Sequence, residues 1–228
     1  MKFRLFLIVL TISIGNVSIA RQAVNDSVSY AFGVQIANDI IRNGIVDDIN
    51  LNLLIEAIND AKSGKPKMNE EQSLQVLRSY MLARNEQSRK ANEAAGMAFL
   101  EKNAKDPEVV VLPSGLQYKV LTKGKLLRPK VTDTVEVHYK GSLVDGTEFE
   151  SSEKMAGTPV RFMLGDVIPG WKEGLQYVAE EGRIVLYIPP KLAYGDRAMQ
   201  GSPIPPSSTL IFEVELLKII PGAAGAEQ

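Results

Sequence analysis

The hydrophobic period of this chain changes at Pro113. Before it, apolar residues recur every three to four positions; after it, they alternate. Val135, Val137 and Tyr139 fall on one side of a run whose other side is Glu136, His138 and Lys140. Ile184, Leu186 and Ile188 repeat the pattern, as do Leu210, Phe212, Val214 and Leu216 against Glu213 and Glu215. A period of two is the signature of half-buried antiparallel strands. Asp145-Gly146 between two such runs is a hairpin signal. Residues 171–176 read as one short helix on a face of the sheet. The expected class is α+β: helices first, then a twisted antiparallel sheet packed on a short helix.

The helical part divides into three. Asn25 or Asp26 is placed to cap a first helix over about Ser27 to Asn43, with Gly44 as its stop. Tyr30, Val34, Ala37 and Ile41 share one face, and Phe32, Ile36 and Ile40 widen it. A second helix runs from about Leu51 to Lys62, capped by Asn50, with Leu54, Ile55 and Ile58 as its stripe. Two helices this short and this apolar need a partner to bury against. A third helix starts near Asn69 and meets no Pro until Pro107, so it spans ~35 residues and ~50 Å at 1.5 Å per residue. Its first part has an apolar face in Leu74, Leu77, Tyr80 and Met81. Arg84 to Lys90 has none, which predicts a stretch that bridges solvent or else frays.

Composition excludes several chemistries. The sequence has no Cys and one His, so thiolate nucleophiles, disulfides and most transition-metal sites are absent. Net charge is -1, which makes no electrostatic case for nucleic acid or anionic membrane. The first residues predict an export signal over 1–20: Lys2 and Arg4, an apolar run from Leu5 to Ile14, a break at Gly15-Asn16, then Ser18-Ile19-Ala20 as a cleavage site. The run is shorter than the ~20 residues that span a bilayer. Cleavage after Ala20 leaves no further hydrophobic span and hence no stable membrane insertion.

Between Val135 and Phe212 the chain sets large apolar residues among turn signals. Tyr139, Phe149, Val167, Ile168, Trp171, Tyr194 and Phe212 have the character of a pocket lining, and several of them lie in loops. No nucleophile, paired acid or metal set accompanies them. A reaction that breaks no strong bond suits such a pocket. Rotation about an X-Pro peptide bond is one, slow when uncatalysed, as amide rotation has a barrier of ~18–20 kcal/mol.

From Pro113 to about Pro221 the sequence resembles FKBP-type peptidyl-prolyl cis-trans isomerases. The resemblance rests on VHYKG (137–141), DGTEFESS (145–152), FMLGDVIPGW (162–171), IPPKLAYG (188–195) and TLIFEVELL (209–217). Earlier segments, DSVSYAFGVQIA (26–37) and NLLIEAINDAKSGKPKMNEEQ (52–72), are similar to the N-terminal dimerisation domain of the macrophage-infectivity-potentiator branch, and PSGLQYKVL (113–121) to its junction. The resemblance implies a helical dimerisation domain over 21–68, a connecting helix over 69–105, an isomerase domain over 106–221 and a flexible tail over 222–228. It implies a homodimer in a Gram-negative periplasm, compatible with outer-membrane association, acting on unfolded or nascent exported proteins and open to macrolide ligands. No cofactor or metal is implied.

At matching positions the resemblance makes Trp171 the floor under the prolyl ring. Tyr139, Phe149, Val160, Val167, Ile168 and Phe212 become walls. The Ile168 N–H and the Tyr194 hydroxyl become donors to substrate carbonyls. Glu150 stands where the family usually has Asp, and Val160 where many members have an aromatic residue. These departures keep a second reading open, a non-catalytic proline-binding chaperone. His138, on the polar side of its strand, is expected to be structural rather than a base.

Overall fold

The computed structural model describes residues 14–125, 127–155, 157–196 and 203–222, with side chains from residue 25 onward. Most of the expected export signal and nearly all of the expected tail therefore lie outside the described residues. The chain forms two compact units, residues 1–69 and 70–228.

The first unit contains α1 (Ile14–Arg42) and α2 (Leu51–Lys62). α1 begins well before the expected Ser27, and Asn25 and Asp26 lie inside it rather than capping it. Asn25 and Asp26 each cost a helix interior at most about 0.7 kcal/mol, and no Pro interrupts the run. α1 does end at Gly44, whose φ is 62°. Gly44 N–H donates to Ile41 O at 2.8 Å and Ile45 N–H to Ile40 O at 3.1 Å, the paired bonds of a Schellman stop. α2 has the expected ends: Asn50 Oδ1 accepts from Asn52 N at 3.0 Å and Leu53 N at 3.2 Å. Within one chain the apolar stripes of both helices are mostly bare: Tyr30 is 77% exposed, Phe32 69% and Ile55 58%, while Ile40 and Leu54 are half-buried.

The second unit opens with α3 (Glu70–Asn103), continuous through its polar middle. There Arg89 pairs with Glu86 at 2.9 Å and Glu93 at 3.0 Å, and Lys90 with Glu86 at 3.4 Å. Such exposed i,i+3 and i,i+4 pairs support a helix weakly. The alternative of fraying does not occur. The last third of α3 does not bridge solvent: Gly96 is buried, and the Phe99 ring lies 5.8 Å from that of Tyr187.

Among the described residues seven strands follow: β1 (Val110–Val111), β2 (Gln117–Thr122), β3 (Thr134–Leu143), β4 (Glu148–Ser151), β5 (Val160–Met163), β6 (Gly182–Ile188) and β7 (Leu210–Ile220). All pairings are antiparallel, in the order β1-β2-β6-β7-β3-β4. β5 pairs with the start of β3, at Val137↔Val160 and Val135↔Phe162, while β4 pairs with its end. Asp145-Gly146 turns β3 into β4 as expected, with Gly146 N–H donating to Leu143 O at 3.0 Å. A short helix, α4 (Ser152–Met155), follows β4.

Alternation sends Val135, Val137, Ile184, Leu186, Ile188, Leu210, Val214 and Leu216 to the inner face, where each has no exposed surface. Each such side chain contributes roughly 1.5–3 kcal/mol of burial. α5 (Pro169–Gly174) closes this face, with Pro169 at its first turn. It lies close because its sheet-facing positions have no side chain. A β-carbon at Gly170 would sit 2.4 Å from Ile188 Cγ2, and one at Gly174 2.5 Å from Leu186 Cδ2. That approach brings Trp171 down onto the core, 4% exposed.

Candidate active site

The inner face is not filled at the β3 end of α5. There Tyr139, Glu150, Phe162, Asp166, Val167, Ile168, Trp171, Tyr194 and Phe212 line a cavity of about 380 Å³. Its position follows from the elements. β3 and β7 supply Tyr139 and Phe212 from their inward registers. The turn into α5 supplies Val167 and Ile168, α5 itself Trp171, and the loop after β6 Tyr194.

The aromatic frame is built edge to face, the arrangement that ring quadrupoles favour. Trp171 stands nearly perpendicular to Tyr139 (centroids 5.3 Å, 86°), Phe162 (5.6 Å, 80°) and Phe212 (5.1 Å, 89°). Tyr139 meets Phe162 at 5.9 Å. The indole Nε1 is buried with no hydrogen-bond partner among the described residues. The result is an indole fixed by packing on three sides, a rigid floor.

Polar groups are few. Ile168 is the N-cap of α5, and its carbonyl accepts from Trp171 N at 3.0 Å and Lys172 N at 3.1 Å. No described residue accepts from its own N–H. Tyr139 is 7% exposed, and burial above all holds its hydroxyl above the ordinary value of 10.0. A hydrogen bond to Glu150 and that carboxylate's charge push the same way. The hydroxyl also lies 3.5 Å from Met155 Sδ. Tyr194 is raised too, by burial and then by Glu150. Both phenols are neutral donors at neutral pH.

The structure brings seven of the nine expected residues to this cavity: Tyr139, Glu150, Val167, Ile168, Trp171, Tyr194 and Phe212. Phe149 and Val160 do not line it. The Phe149 ring packs behind Phe212, centroids 5.5 Å apart, over the bare Cα of Gly141. Val160 is half-buried against the core, opposite Val137. Two lining residues, Phe162 and Asp166, were not expected. Phe162 was legible: it alternates with Val160 on the inward side of β5. Asp166, in a single turn before α5, left no signal.

Glu150, despite its extra methylene, lines the same cavity as Tyr139. His138 Nδ1 lies 3.1 Å from Ser152 Oγ. Ser152 is buried, accepting from Tyr139 N at 3.1 Å and donating to Tyr139 O at 3.3 Å. Both bonds tie a strand to α4, so this pair is structural. A larger depression of about 730 Å³ surrounds it on the polar side of β3. Its charged lining of both signs, with Lys140, Lys154, Glu148 and Glu213, has no apolar floor for a prolyl ring.

Comparison with known proteins agrees with this geometry. The family described as FKBP-type peptidyl-prolyl cis-trans isomerase matches residues 127–217. The domain amino terminal to FKBP-type peptidyl-prolyl isomerase matches residues 25–120. The chain is 41% identical over 202 residues to outer membrane protein MIP of Legionella longbeachae, covering 85% of each. It is 45% identical over 175 residues to the FKBP-type peptidyl-prolyl cis-trans isomerase FkpA of Escherichia coli K12, covering 74% of this chain and 64% of that one. The crystal structure of FkpA from Escherichia coli superposes with a TM-score of 0.67 at 38% identity, over 88% of this chain and 97% of the other. With an α+β fold, an aromatic cavity and relatives of this kind in agreement, the catalytic reading prevails over the non-catalytic one, and the chain belongs to the FKBP-type peptidyl-prolyl cis-trans isomerase family.

Proposed function

We propose that the cavity between α5 and the ends of β3 and β7 is where X-Pro bonds of exported proteins are isomerised. The observation that carries this is the perpendicular packing of Trp171 against Tyr139, Phe162 and Phe212, which leaves an apolar, rigid recess of about 380 Å³. A planar amide has a larger dipole than a twisted one. A recess that solvates it poorly disfavours the planar form, so binding is stronger in the transition state. Trp171 serves as the floor; Tyr139, Val167, Ile168 and Phe212 are walls. The Ile168 N–H and Tyr194 hydroxyl hold the carbonyls that flank the rotating bond. Glu150 sets a carboxylate in the wall it shares with Tyr139. Phe149 acts from behind Phe212, and Val160 supports Phe162 rather than touching substrate. Macrolides that fit an aromatic recess are inhibitors of the same site.

The rest of the proposal concerns assembly and place. Residues 21–68 and the start of a connecting helix over 69–105 form a dimerisation module, and 106–221 the isomerase domain. The bare stripes of α1 and α2, with Leu74, Val76 and Leu77 on α3, support a second copy as their cover. Two tethered pockets suit a folding chaperone, because the second contact with one client becomes intramolecular. The first twenty residues support export to the periplasm, and the kinship with an outer membrane protein is compatible with a site near that membrane. No helix among the described residues is long and apolar enough to cross a membrane. A protease-coupled isomerisation assay on a short X-Pro peptide, with wild type and Tyr194→Phe, tests the site. Light scattering tests the dimer, and intact mass of exported protein tests cleavage after Ala20.

A further inference from the structure

Helix α3 carries Gly96 in its interior, where only proline is less favourable. Nothing in the isomerase reading uses it. A β-carbon built there would sit 2.4 Å from Thr209 Oγ1 and 3.1 Å from Thr209 Cβ. Thr209 is 2% exposed, and among the described residues its hydroxyl has no hydrogen-bond partner. The hydroxyl is therefore pressed against helix backbone, where a Cα–H···O contact is the compensation open to it.

Gly96 belongs to a stripe. Ser88, Asn92, Gly96, Phe99 and Asn103 are spaced by four, four, three and four, one face of a helix, and each is buried or half-buried. Asn92 Nδ2 donates to Pro206 O at 2.9 Å, between residues 114 positions apart, and lies 3.2 Å from Ser88 Oγ. Asn103 Nδ2 donates to Gln117 Oε1 at 2.8 Å, and Gln117 Nε2 to Leu100 O at 3.0 Å. The stripe thus grips β2 at one end and the approach to β7 at the other.

The upper grip leads to the cavity. Ser207, next to Pro206, donates from N to Gly195 O at 2.9 Å and from Oγ to Asp196 Oδ1 at 2.7 Å. It does so at φ 55°, a left-handed conformation that Ser holds only under constraint. Gly195 N–H in turn donates to Pro190 O at 2.9 Å. The neighbour of Gly195 is Tyr194, which lines the cavity; Phe212, three residues past Thr209, lines it as well.

We infer that the C-terminal third of α3 is a working part of the isomerase unit, with Asn92 and Gly96 as positioning residues that hold the Tyr194 side of the proline cavity. The inference rests on the isomerase reading of that cavity. Loss of the Asn92 bond frees Pro206, loosens the Ser207–Gly195 tie and lets Tyr194 drift. Substrate binding is then weakened more than turnover.

The test is a double-mutant cycle in the full-length protein, reading KM and kcat on a short X-Pro peptide. Asn92→Ala is expected to raise KM about two- to tenfold, the equivalent of one hydrogen bond, with kcat little changed. Tyr194→Phe is expected to raise KM by a similar factor. In the double variant the two effects should not multiply, because Asn92 acts through Tyr194. Gly96→Ala should shift KM in the same direction as Asn92→Ala. Wild-type KM in Asn92→Ala, or two effects that multiply, would overturn the inference. Failure of the underlying reading shows separately, as Tyr194→Phe with wild-type KM.

Discussion

Tyr139 stands edge-on to Trp171, with ring centroids 5.3 Å apart and planes at 86°. The contact joins the middle of β3 to the first turn of α5, and through it the sheet holds the floor of the cavity. Trp171 is 4% exposed. Trp171→Ala should therefore cost on the order of 3–5 kcal/mol of stability, the usual range for a large aromatic removed from a core. Urea denaturation of both proteins measures it. A loss within about 0.5 kcal/mol, typical of surface sites, would mean that the indole is not held as described.

The tyrosines offer a pH test. Burial raises the hydroxyls of Tyr118, Tyr139, Tyr187 and Tyr194 above 10.0, Tyr139 most of all. A raised folded-state value means that the native protein keeps a proton that the unfolded chain releases. The stability this contributes is complete below the unfolded value of about 10 and is lost as pH rises through the folded value. Stability should fall steadily above pH 10 or so, and Tyr139→Phe should flatten that fall. Glu150→Gln removes the charge but not the burial, so Tyr139 should titrate lower than in wild type yet still above the ordinary value. Phenolate absorbance against pH follows both.

Gly96→Ala sets two effects of opposite sign against each other. Helix propensity favours Ala by roughly 1 kcal/mol. The contact with Thr209 opposes it, because a β-carbon at 2.4 Å from Thr209 Oγ1 forces the helix or the loop to move. Overpacking of this kind typically costs about 1–3 kcal/mol. Net destabilisation is expected. A thermal midpoint above wild type would show that α3 is free to lift away from Thr209.

Truncation separates the two roles of the helical region. Fragments starting at Arg84 and at Asp106 should both be monomeric in light scattering, since both lack α1, α2 and the apolar start of α3. The shorter one should be less stable. It loses Phe99 from Tyr187 and strips Gln117 of Asn103 and Leu100 O. A buried polar group left without a partner costs about 1–3 kcal/mol. Equal stability of the two fragments would place the edge of the isomerase unit after α3.

Where apolar residues do the packing, the sequence was readable. The alternation in β3, β6 and β7 and the Asn50 cap of α2 appear in the structure as read. The resemblance led to seven cavity residues because loop-borne aromatics such as Tyr194 and Trp171 stand in recognisable surroundings. α1 starts before the capping pattern at Asn25 and Asp26, because Asn and Asp disfavour a helix interior without forbidding it. Phe162 lines the cavity, as its alternation with Val160 on the inward side of β5 marks it to do. The grip of α3 left no hydropathic trace. Its face consists of a serine, two asparagines and a glycine around one Phe, so its contacts come from side-chain amides and from the absence of a side chain.

The central claim is that this cavity isomerises X-Pro bonds. The most direct measurement is the cis-to-trans rate of a short X-Pro peptide in a protease-coupled assay, for wild type, Trp171→Ala and Tyr194→Phe, with folding of each checked by circular dichroism. Wild type should accelerate the reaction. Tyr194→Phe should lose about 0.5–1.5 kcal/mol of transition-state stabilisation, one neutral hydrogen bond, and folded Trp171→Ala should lose more. Wild-type rates in both folded variants would contradict the account.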